Sequence, residues 1–432
     1  MMNKLYNNQL KETYYETTLK NGLTVYLMPK PGFNKTFGMF ATNYGSLDND
    51  FIPYDGDDFV QFPPGIAHFL EHKVFEQEGG KDASSMLASI GASANAFTSF
   101  DKTAYLFSTT SKIEQAVNLL LDFVQNPQFS DESVLAEQGI IEQELLMYLD
   151  NPQVALTMGA LQAMYSTHSI RLEIGGTRDS IKQITKPLLK RCYHTFYHPH
   201  NMVFVLVGAF DEKQILQVIK ANQNKKTFPP YKPIKRRYFP ENNQVSKTFM
   251  EEKMAVIIPK TSVNLKIGYE KLSIKEVIKQ EFVFQILSDI YFDQSSDFYQ
   301  ELKEKGIINN SFEYDAVFDD TYGFLSISCE TLEVDRFNQA VKEKLLRIRT
   351  DAIDELTFER IKKVNLALLI RKLNSLEYLA NLLVDAAFKG IEAFEVLTIL
   401  ESITYQNVMD FRKHFVEKAI AIFQITPENK LT

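Results

Sequence analysis

The sequence has little of what several classes of protein require. Its 432 residues contain two cysteines, Cys192 and Cys329, which cannot form a disulfide framework and indicate a reducing compartment. We predict that both cysteines are core residues. The net charge of −8 argues against nucleic acid as the main partner, because phosphate binding requires a basic surface.

Long apolar runs are absent as well. The best of them, residues 202–210, is far shorter than the ~20 residues that span a bilayer. Residues 1–18 are polar and tyrosine-rich and lack the apolar segment of a secretory signal. We therefore predict a cytoplasmic protein. The hydrophobic content of 45% is ordinary for a globular protein, and the length predicts two or three domains.

Hydrophobic periodicity predicts two blocks with a similar order of elements. The first block has a hairpin around Asn21-Gly22, a helix from Pro63-Pro64 to Gly79-Gly80, two strands around Asp101-Lys102, and further helices. The second block repeats the order of strand, helices, two strands and helices, with the first of these two strands predicted at 309–313. The similar layouts predict a duplicated unit.

The connection between the blocks differs in composition. Lysine, proline and asparagine dominate residues 222–247, which favours an extended linker over a patch that binds nucleic acid. We predict an α+β protein with an N-terminal metal-binding domain over 1–221, a linker over 222–247 and a C-terminal domain over 248–432. The second domain has the same architecture, an antiparallel sheet with helices, but no metal.

An acidic loop precedes the first predicted helix. We predict that it is solvated and does not bind a cation, since runs of charge usually face water. The loop contains Asp48, Asp50, Asp55, Asp57 and Asp58.

Two of the seven histidines lie in one stretch, residues 65–75, which reads Gly-Ile-Ala-His-Phe-Leu-Glu-His-Lys-Val-Phe. On a helix with about 100° per residue, His68 and His72 lie within about 40° of each other, and Glu71 flanks them. The intervening apolar residues point the other way, into a core. Two imidazoles that can share one metal, beside a carboxylate, are what a zinc hydrolase needs, and His-x-x-Glu-His is the inverted form of the commoner zinc helix.

A zinc site needs a further protein ligand. In the predicted helix 131–149, Glu137 and Glu144 are seven residues apart, so they share a face to within about 20°, among apolar neighbours. Two carboxylates on an apolar face are costly to bury without a cation. A bound dication could neutralise these carboxylates, and so could a lysine or arginine partner. The two histidines upstream, which need a further metal ligand, favour the dication.

These residues predict a hydrolytic mechanism. His68, His72 and one of the two glutamates would hold one Zn²⁺ and leave a position open for water. Glu71 would accept the proton of the water and return it to the leaving amine. Chance surface residues on an amphipathic helix are the alternative, which the apolar flanks and the downstream glutamate pair disfavour.

Three motifs together resemble the pitrilysin/insulinase family of zinc metallopeptidases. They are His-Phe-Leu-Glu-His at 68–72, Gly-Ala-Ser-Ala-Asn-Ala-Phe-Thr at 91–98, and the pair Glu137 and Glu144. The chain is most similar to short bacterial members of this family, strongly over 17–215 and more weakly over 245–425. The resemblance implies a pair of α+β domains that form half of a clamshell around a closed chamber. It also implies an endopeptidase that hydrolyses unfolded peptides or short polypeptides.

The resemblance further implies roles for single residues. His68 and His72 match the zinc histidines, Glu144 matches the third ligand, and Glu71 matches the general base. Glu137 matches a second acidic residue that supports the site, for example through a hydrogen bond to a ligand histidine.

Substrate contacts and a partner are implied in the same way. Asn95 and Ala96 match the edge strand along which a peptide is laid by β-augmentation. In the second half, family members carry an arginine and a tyrosine that help to hold substrate, whereas this chain has Lys303 and Asn309 in those places. Lys303 is our candidate substrate contact there. We infer that a second, homologous subunit completes the site, as a heterodimer or a homodimer.

Two other functions are compatible with parts of this pattern. A non-catalytic scaffold, like the core subunits of respiratory complexes in the same family, keeps the fold and loses the metal residues, so the intact Glu71 argues against it. A metal-binding regulatory protein would bind metal without hydrolysing peptides.

Overall fold

The computed structural model describes residues 2–77, 81–128 and 130–428. They form two compact units that are not continuous in sequence. The first unit comprises Met1–Leu145, Glu173–Arg237 and Arg371–Phe394, and the second comprises Leu146–Leu172, Tyr238–Ile370 and Glu395–Thr432. Each unit combines one main β-sheet with helices, which confirms the predicted α+β class. The units differ from the predicted division at 1–221, 222–247 and 248–432 because each half of the chain contributes one segment to the other unit.

The strands, in chain order, are β1 Asn3–Asn7, β2 Glu12–Thr18, β3 Thr24–Pro29, β4 Thr36–Thr42, β5 Asp50–Phe51, β6 Val60–Gln61, β7 Glu76–Gln77, β8 Lys81–Asp82, β9 Ser93–Thr98, β10 Thr103–Thr109, β11 Met202–Gly208, β12 Phe249–Met254, β13 Lys260–Ile267, β14 Glu313–Phe318, β15 Gly323–Glu330 and β16 Ile420–Pro427. The predicted hairpins at Asn21-Gly22 and Asp101-Lys102 are confirmed as β2–β3 and β9–β10. The strand predicted at 309–313 was misplaced, since β14 begins at Glu313.

The two main sheets repeat one topology, which confirms the predicted duplication. The first has the order β1-β2-β3-β11-β4-β10-β9, and the second has the order β12-β16-β13-β15-β14. The five strands β3-β11-β4-β10-β9 of the first sheet match the five strands of the second: the first pair is parallel, β3 with β11 and β12 with β16, and the following three pairs are antiparallel. The sheets are therefore mainly antiparallel, as predicted, and each contains one parallel pair that the sequence did not predict. The parallel pair arises because the last strand of each unit returns to the sheet only after several helices.

The helices, in chain order, are α1 Ile66–Phe75, α2 Ala83–Ser89, α3 Ile113–Gln125, α4 Asp131–Leu149, α5 Pro152–Met164, α6 Arg178–Lys182, α7 Lys186–Phe196, α8 Glu212–Gln223, α9 Ile274–Phe292, α10 Asp297–Glu304, α11 Val334–Arg347, α12 Glu355–Lys372, α13 Leu376–Lys389, α14 Glu395–Glu401 and α15 Tyr405–Phe411. No helix among the described residues has the length and apolarity that crossing a membrane requires. The predicted end of the first helix at Gly79-Gly80 lies outside the described residues, and α1 ends earlier, at Phe75.

One helix of each unit comes from the other half of the chain. In the second unit, α5 packs on β16 and β13, so closely that a Cβ on Gly159 would lie 2.1 Å from the ring of Phe423. In the first unit, α13 packs on β11 and β4. A sheet with two apolar faces must be covered on both sides, and these helices supply the second cover.

The core of the first unit lies between its sheet and the helices α1, α3 and α7. Ile66, Phe69, Leu70 and Val74 of α1 are fully buried in it, as the helical pattern predicts. Cys192 belongs to the same core, and Cys329 is buried in the second unit, so both cysteines are free core thiols as predicted.

The acidic loop is solvated only in part: Asp55, Asp57 and Asp58 are exposed, as predicted, whereas Asp48 and Asp50 are not. Asp48 and Asp50 are 2% and 7% exposed, so they are buried instead of solvated. They form ion pairs with Arg236 (Nε to Oδ1, 2.8 Å) and Arg237 (Nη2 to Oδ2, 2.7 Å), which belong to the segment predicted as the linker. Two basic residues of that segment therefore neutralise the two buried aspartates, although the partners lie far apart in the sequence.

Candidate metal centre

Helix α1 begins at a glycine that the packing requires. Gly65 has φ of 89°, a conformation that glycine adopts readily, and a Cβ at this position would lie 2.4 Å from the carbonyl oxygen of Gly175. Gly176 (φ of 83°) in turn lies against the carbonyl of Pro64, where a Cβ would be 2.4 Å away. This close approach fixes the start of α1, one turn before His68. The pair Gly175-Gly176 was not singled out from the sequence, because only the tertiary contact gives it meaning.

The two histidines of α1 lie side by side, as their spacing predicts. Their ring centroids are 4.6 Å apart at an angle of 64°. His68 Nδ1 is buried without a hydrogen-bond partner among the described residues. Burial and the neighbouring charge of His72 lower the pKa of His68 to about 4, so its imidazole is neutral at physiological pH and can donate a lone pair.

Glu144 of α4 faces both imidazoles. Its Oε1 lies 3.7 Å from His68 Nε2, and its Oε2 lies 3.5 Å from His72 Nε2. Both distances are too long for good hydrogen bonds. Ligand atoms at 2.0–2.1 Å from a tetrahedral Zn²⁺ are about 3.3 Å apart, which is close to what is observed. The donor set of two imidazole nitrogens and a carboxylate therefore fits Zn²⁺.

One ligand atom from each of His68, His72 and Glu144 lies within 4.8 Å of the others. Among the residues that the structure describes, no other group of three or more histidine, cysteine or acidic side chains brings its ligand atoms this close together. The structure thus separates the two glutamates of α4 that the sequence left as alternatives, because only Glu144 joins both imidazoles.

Glu137 lies on the other side of His72. Its Oε1 is 3.1 Å from His72 Nδ1, and its Oε2 is 3.7 Å from Nζ of Lys73. Burial alone would raise the pKa of Glu137, but the hydrogen bond from His72 and the charges of His72 and Lys73 outweigh it and lower the pKa. As a carboxylate, Glu137 accepts the Nδ1 proton of His72, which leaves His72 Nε2 free as a ligand atom.

Lys73 is a residue that sequence reasoning missed. Its side chain is 1% exposed, and its ammonium donates to Glu76 and, at 3.3 Å, to the carbonyl of Ser133 on α4. A lysine is seldom this buried unless it is paired. The signal was present, since Lys73 interrupts an apolar helix face immediately after the second histidine.

Glu71 lies beside this cluster without joining it. It is 8% exposed, and its Oε2 accepts a hydrogen bond of 2.6 Å from Oγ1 of Thr98, the last residue of β9. Burial raises the pKa of Glu71, and the hydrogen bond from Thr98 partly opposes that rise. A buried carboxylate with a raised pKa is suited to exchange protons.

The predicted substrate contacts lie on different units. Asn95 and Ala96 lie on β9, the edge strand of the first sheet, where Asn95 Oδ1 accepts the N–H of Ala96 at 2.9 Å. Lys303 lies on α10 of the second unit and is exposed, with its ammonium 5.7 Å from the ring of Tyr299. Asn309 caps a turn by accepting the N–H of Ser311 at 2.8 Å. The roles of Asn95, Ala96 and Lys303 in substrate binding stay predictions.

Comparisons with known proteins identify the family of the chain. The family model for insulinase (peptidase family M16) matches residues 62–178, and that for the peptidase M16 inactive domain matches residues 183–365. A protein of Bacillus subtilis, named as the uncharacterized zinc protease YmfH, is 40% identical over 99% of this chain and 100% of its own length. The chain belongs to the insulinase (M16) family.

Solved structures of M16 members have the same fold. The crystal structure of an M16-like peptidase of Alicyclobacillus acidocaldarius matches with a TM-score of 0.91 and 34% identity over 99% of both chains. Pitrilysin matches with a TM-score of 0.73 and 16% identity, and there this chain spans 46% of the other one. Three curated relatives, YmfH and YmxG of Bacillus subtilis and PqqL of Escherichia coli, are named as zinc proteases. The comparisons thus confirm the family resemblance seen in the motifs.

Proposed function

We propose that this M16 chain is a zinc-dependent endopeptidase that hydrolyses unfolded peptides or short polypeptides. The observation that carries the proposal is the position of Glu144, whose two oxygens face His68 Nε2 and His72 Nε2 at 3.7 and 3.5 Å. We assign one Zn²⁺ per chain to these three residues. Bound Zn²⁺ supplies a Lewis acid that polarises the scissile carbonyl and lowers the pKa of water.

The roles of the other residues follow from their contacts. Glu71 takes the proton of the attacking water and passes it to the nitrogen of the leaving amine, because its carboxylate is beside the cluster and its pKa is raised. Glu137 orients His72 through the Nδ1 hydrogen bond, so we assign it a supporting part in catalysis. An extended peptide would add to the edge strand β9 near Asn95 and Ala96, and such an addition would favour unfolded substrates.

A second subunit belongs to the proposal. The chain spans 46% of pitrilysin and 48% of the Escherichia coli periplasmic protease PqqL, so it corresponds in length to about half of these relatives. We propose that a homologous subunit, identical or different, closes the chamber around the substrate, with Lys303 as a contact from the second unit. The cytoplasmic location also stays a proposal.

The test measures metal and hydrolysis together. Purified chain is analysed for zinc and assayed with a quenched fluorescent peptide library, alone and after titration with candidate partner subunits. Glu71→Gln is expected to retain zinc and to lose at least about 10²-fold in rate, since a general base contributes about that much. Glu144→Gln is expected to lose zinc as well as activity.

The matched control is Glu142→Gln on the same helix. Glu142 pairs with Arg178 on the surface at 2.5 Å, so its replacement is expected to leave zinc content and rate unchanged. Full activity of the Glu71→Gln variant would contradict the mechanism. Zinc without hydrolysis under all conditions would favour a metal-binding regulatory protein, and absence of both would favour a scaffold.

A further inference from the structure

Thr98 connects the candidate base with the edge strand of the first sheet. It is the last residue of β9 and pairs across the hairpin with Thr103, the first residue of β10. Its hydroxyl oxygen lies 2.6 Å from Glu71 Oε2 and 3.3 Å from the hydroxyl oxygen of Thr103. Thr103 is fully buried, and its hydroxyl donates to the carbonyl oxygen of Tyr44 at 2.9 Å. The four residues form one chain of contacts that ends at Glu71.

The direction of each proton in this chain follows from its acceptors. A carbonyl oxygen only accepts, so the single proton of the Thr103 hydroxyl is directed to Tyr44. Thr103 therefore cannot donate to Thr98. The proton of Thr98 has two acceptors in reach, and the carboxylate of Glu71 is both closer and charged, which makes that hydrogen bond the stronger one.

We infer that Thr98 is a positioning residue for the proposed peptidase reaction, which holds Glu71 through Oε2 and reserves Oε1 as the oxygen that takes the proton. The inference rests on the proposed function. Ala96 lies two residues before Thr98 on the same strand, about 6.6 Å away at 3.3 Å per residue. The strand that would receive the peptide backbone thus also sets the position of the base. The same strand would therefore position both Glu71 and the scissile bond.

The chain offers a matched control. Thr18 is the last residue of β2 and pairs across its hairpin with Thr24, the first residue of β3, with the two hydroxyl oxygens 3.4 Å apart. This pair has the same place in a hairpin of the same sheet and contacts none of the candidate site residues through the hydroxyls. Thr18→Val therefore removes an equivalent hydroxyl without touching Glu71.

The first experiment separates kcat from KM in the zinc-loaded chain. Thr98→Val keeps the shape of the side chain and removes the hydroxyl, so we expect kcat to fall about tenfold while KM stays within about twofold, the loss of roughly one hydrogen bond to the base. Thr98→Ser should recover most of kcat, and Thr18→Val should match the wild type. Zinc affinity, measured by titration of the metal-free chain, should be unchanged in all three variants.

The second experiment does not depend on hydrolysis. In the metal-free chain, Thr98→Val is expected to lower the melting temperature more in the wild-type background than in the Glu71→Gln background, because the lost hydrogen bond is to a charged group only in the former. Equal shifts in both backgrounds would overturn the inference. So would an unchanged kcat, a change in KM alone, or a serine variant as slow as the valine variant. If the wild type shows no zinc-dependent hydrolysis, the proposed function fails, and the melting comparison still decides whether Thr98 holds Glu71.

Discussion

The ammonium of Lys73 and the carboxylate of Glu137 lie 3.7 Å apart, on the helices α1 and α4 that carry the candidate ligands. Glu137 uses its other oxygen for His72 Nδ1. One carboxylate thus joins a buried cation of α1 to the imidazole of the preceding residue. This contact fixes α4 against α1, and with it the distance between Glu144 and the histidines.

The first prediction concerns Glu137. Glu137→Gln removes the charge that orients His72 and pairs with Lys73, so zinc affinity is expected to fall about 10- to 100-fold, the usual effect of losing a partner of a ligand histidine. Zinc titration with a competing chelator measures this change. Glu132→Gln, at an exposed position on the same helix, is the control and should bind zinc like the wild type. Unchanged affinity in Glu137→Gln would show that His72 needs no orienting carboxylate.

The second prediction compares two glycines. Gly65→Ala is expected to lower the free energy of unfolding by about 1–3 kcal/mol, because φ of 89° is strained for alanine and the new Cβ overlaps the carbonyl of Gly175. Gly139→Ala adds the same methyl group inside α4, where no atom other than those of the adjacent residues and the local helix backbone lies within 4 Å of it. It should instead stabilise the chain by about 0.5–1 kcal/mol. Urea unfolding of both variants checks the opposite signs, and equal effects would contradict the role of the Gly65 contact.

The third prediction concerns pH and a buried ion pair of the second unit. Glu241 accepts hydrogen bonds from Nζ of Lys266 (2.5 Å) and from the N–H groups of Ser166 (3.0 Å) and His168 (2.7 Å). Burial alone would raise the pKa of Glu241, but these bonds outweigh it and lower the pKa from 4.5 to about 2. Because the folded-state pKa is the lower one, the stabilisation is present above about pH 4.5 and is lost as the pH falls towards 2.

Glu241→Gln tests this dependence. At pH 7 the free energy of unfolding of the variant should be lower than that of the wild type by at most about 3 kcal/mol. This difference, the gap between the two proteins, should narrow between pH 4.5 and 3. Urea midpoints at pH 7, 4.5 and 3 measure the gap, with exposed Glu252→Gln as a control that should show none. A gap that widens towards acid pH would contradict the assigned sign.

The fourth prediction concerns Arg236. Arg236→Met leaves the buried carboxylate of Asp48 without its cation, which is expected to cost about 3 kcal/mol of unfolding free energy. Lys235→Met, at the exposed neighbouring position, should stay within about 0.5 kcal/mol of the wild type. Thermal and urea unfolding distinguish the two variants. Similar small effects would mean that water reaches Asp48 and replaces the arginine.

Much of the fold and of the candidate site was already determined by the sequence, because the relevant signals are local. The spacing of His68 and His72 places them on one helix face whatever surrounds the helix. The bounds of α4 and α7 and the two hairpins follow from periodicity and turn residues in the same way. The short edge strand β14 was misplaced because its alternation is weak and its neighbours are polar.

Only the tertiary structure decided which distant groups meet. Glu137 and Glu144 are indistinguishable on their own helix, and the approach of α1 makes one face both imidazoles and the other support His72. The same holds for Thr98 at Glu71, for Arg236 at Asp48, and for the exchange of α5 and α13 between the units. Such contacts join residues far apart in the chain, and their energies depend on burial and distance in the folded state, which no local pattern contains.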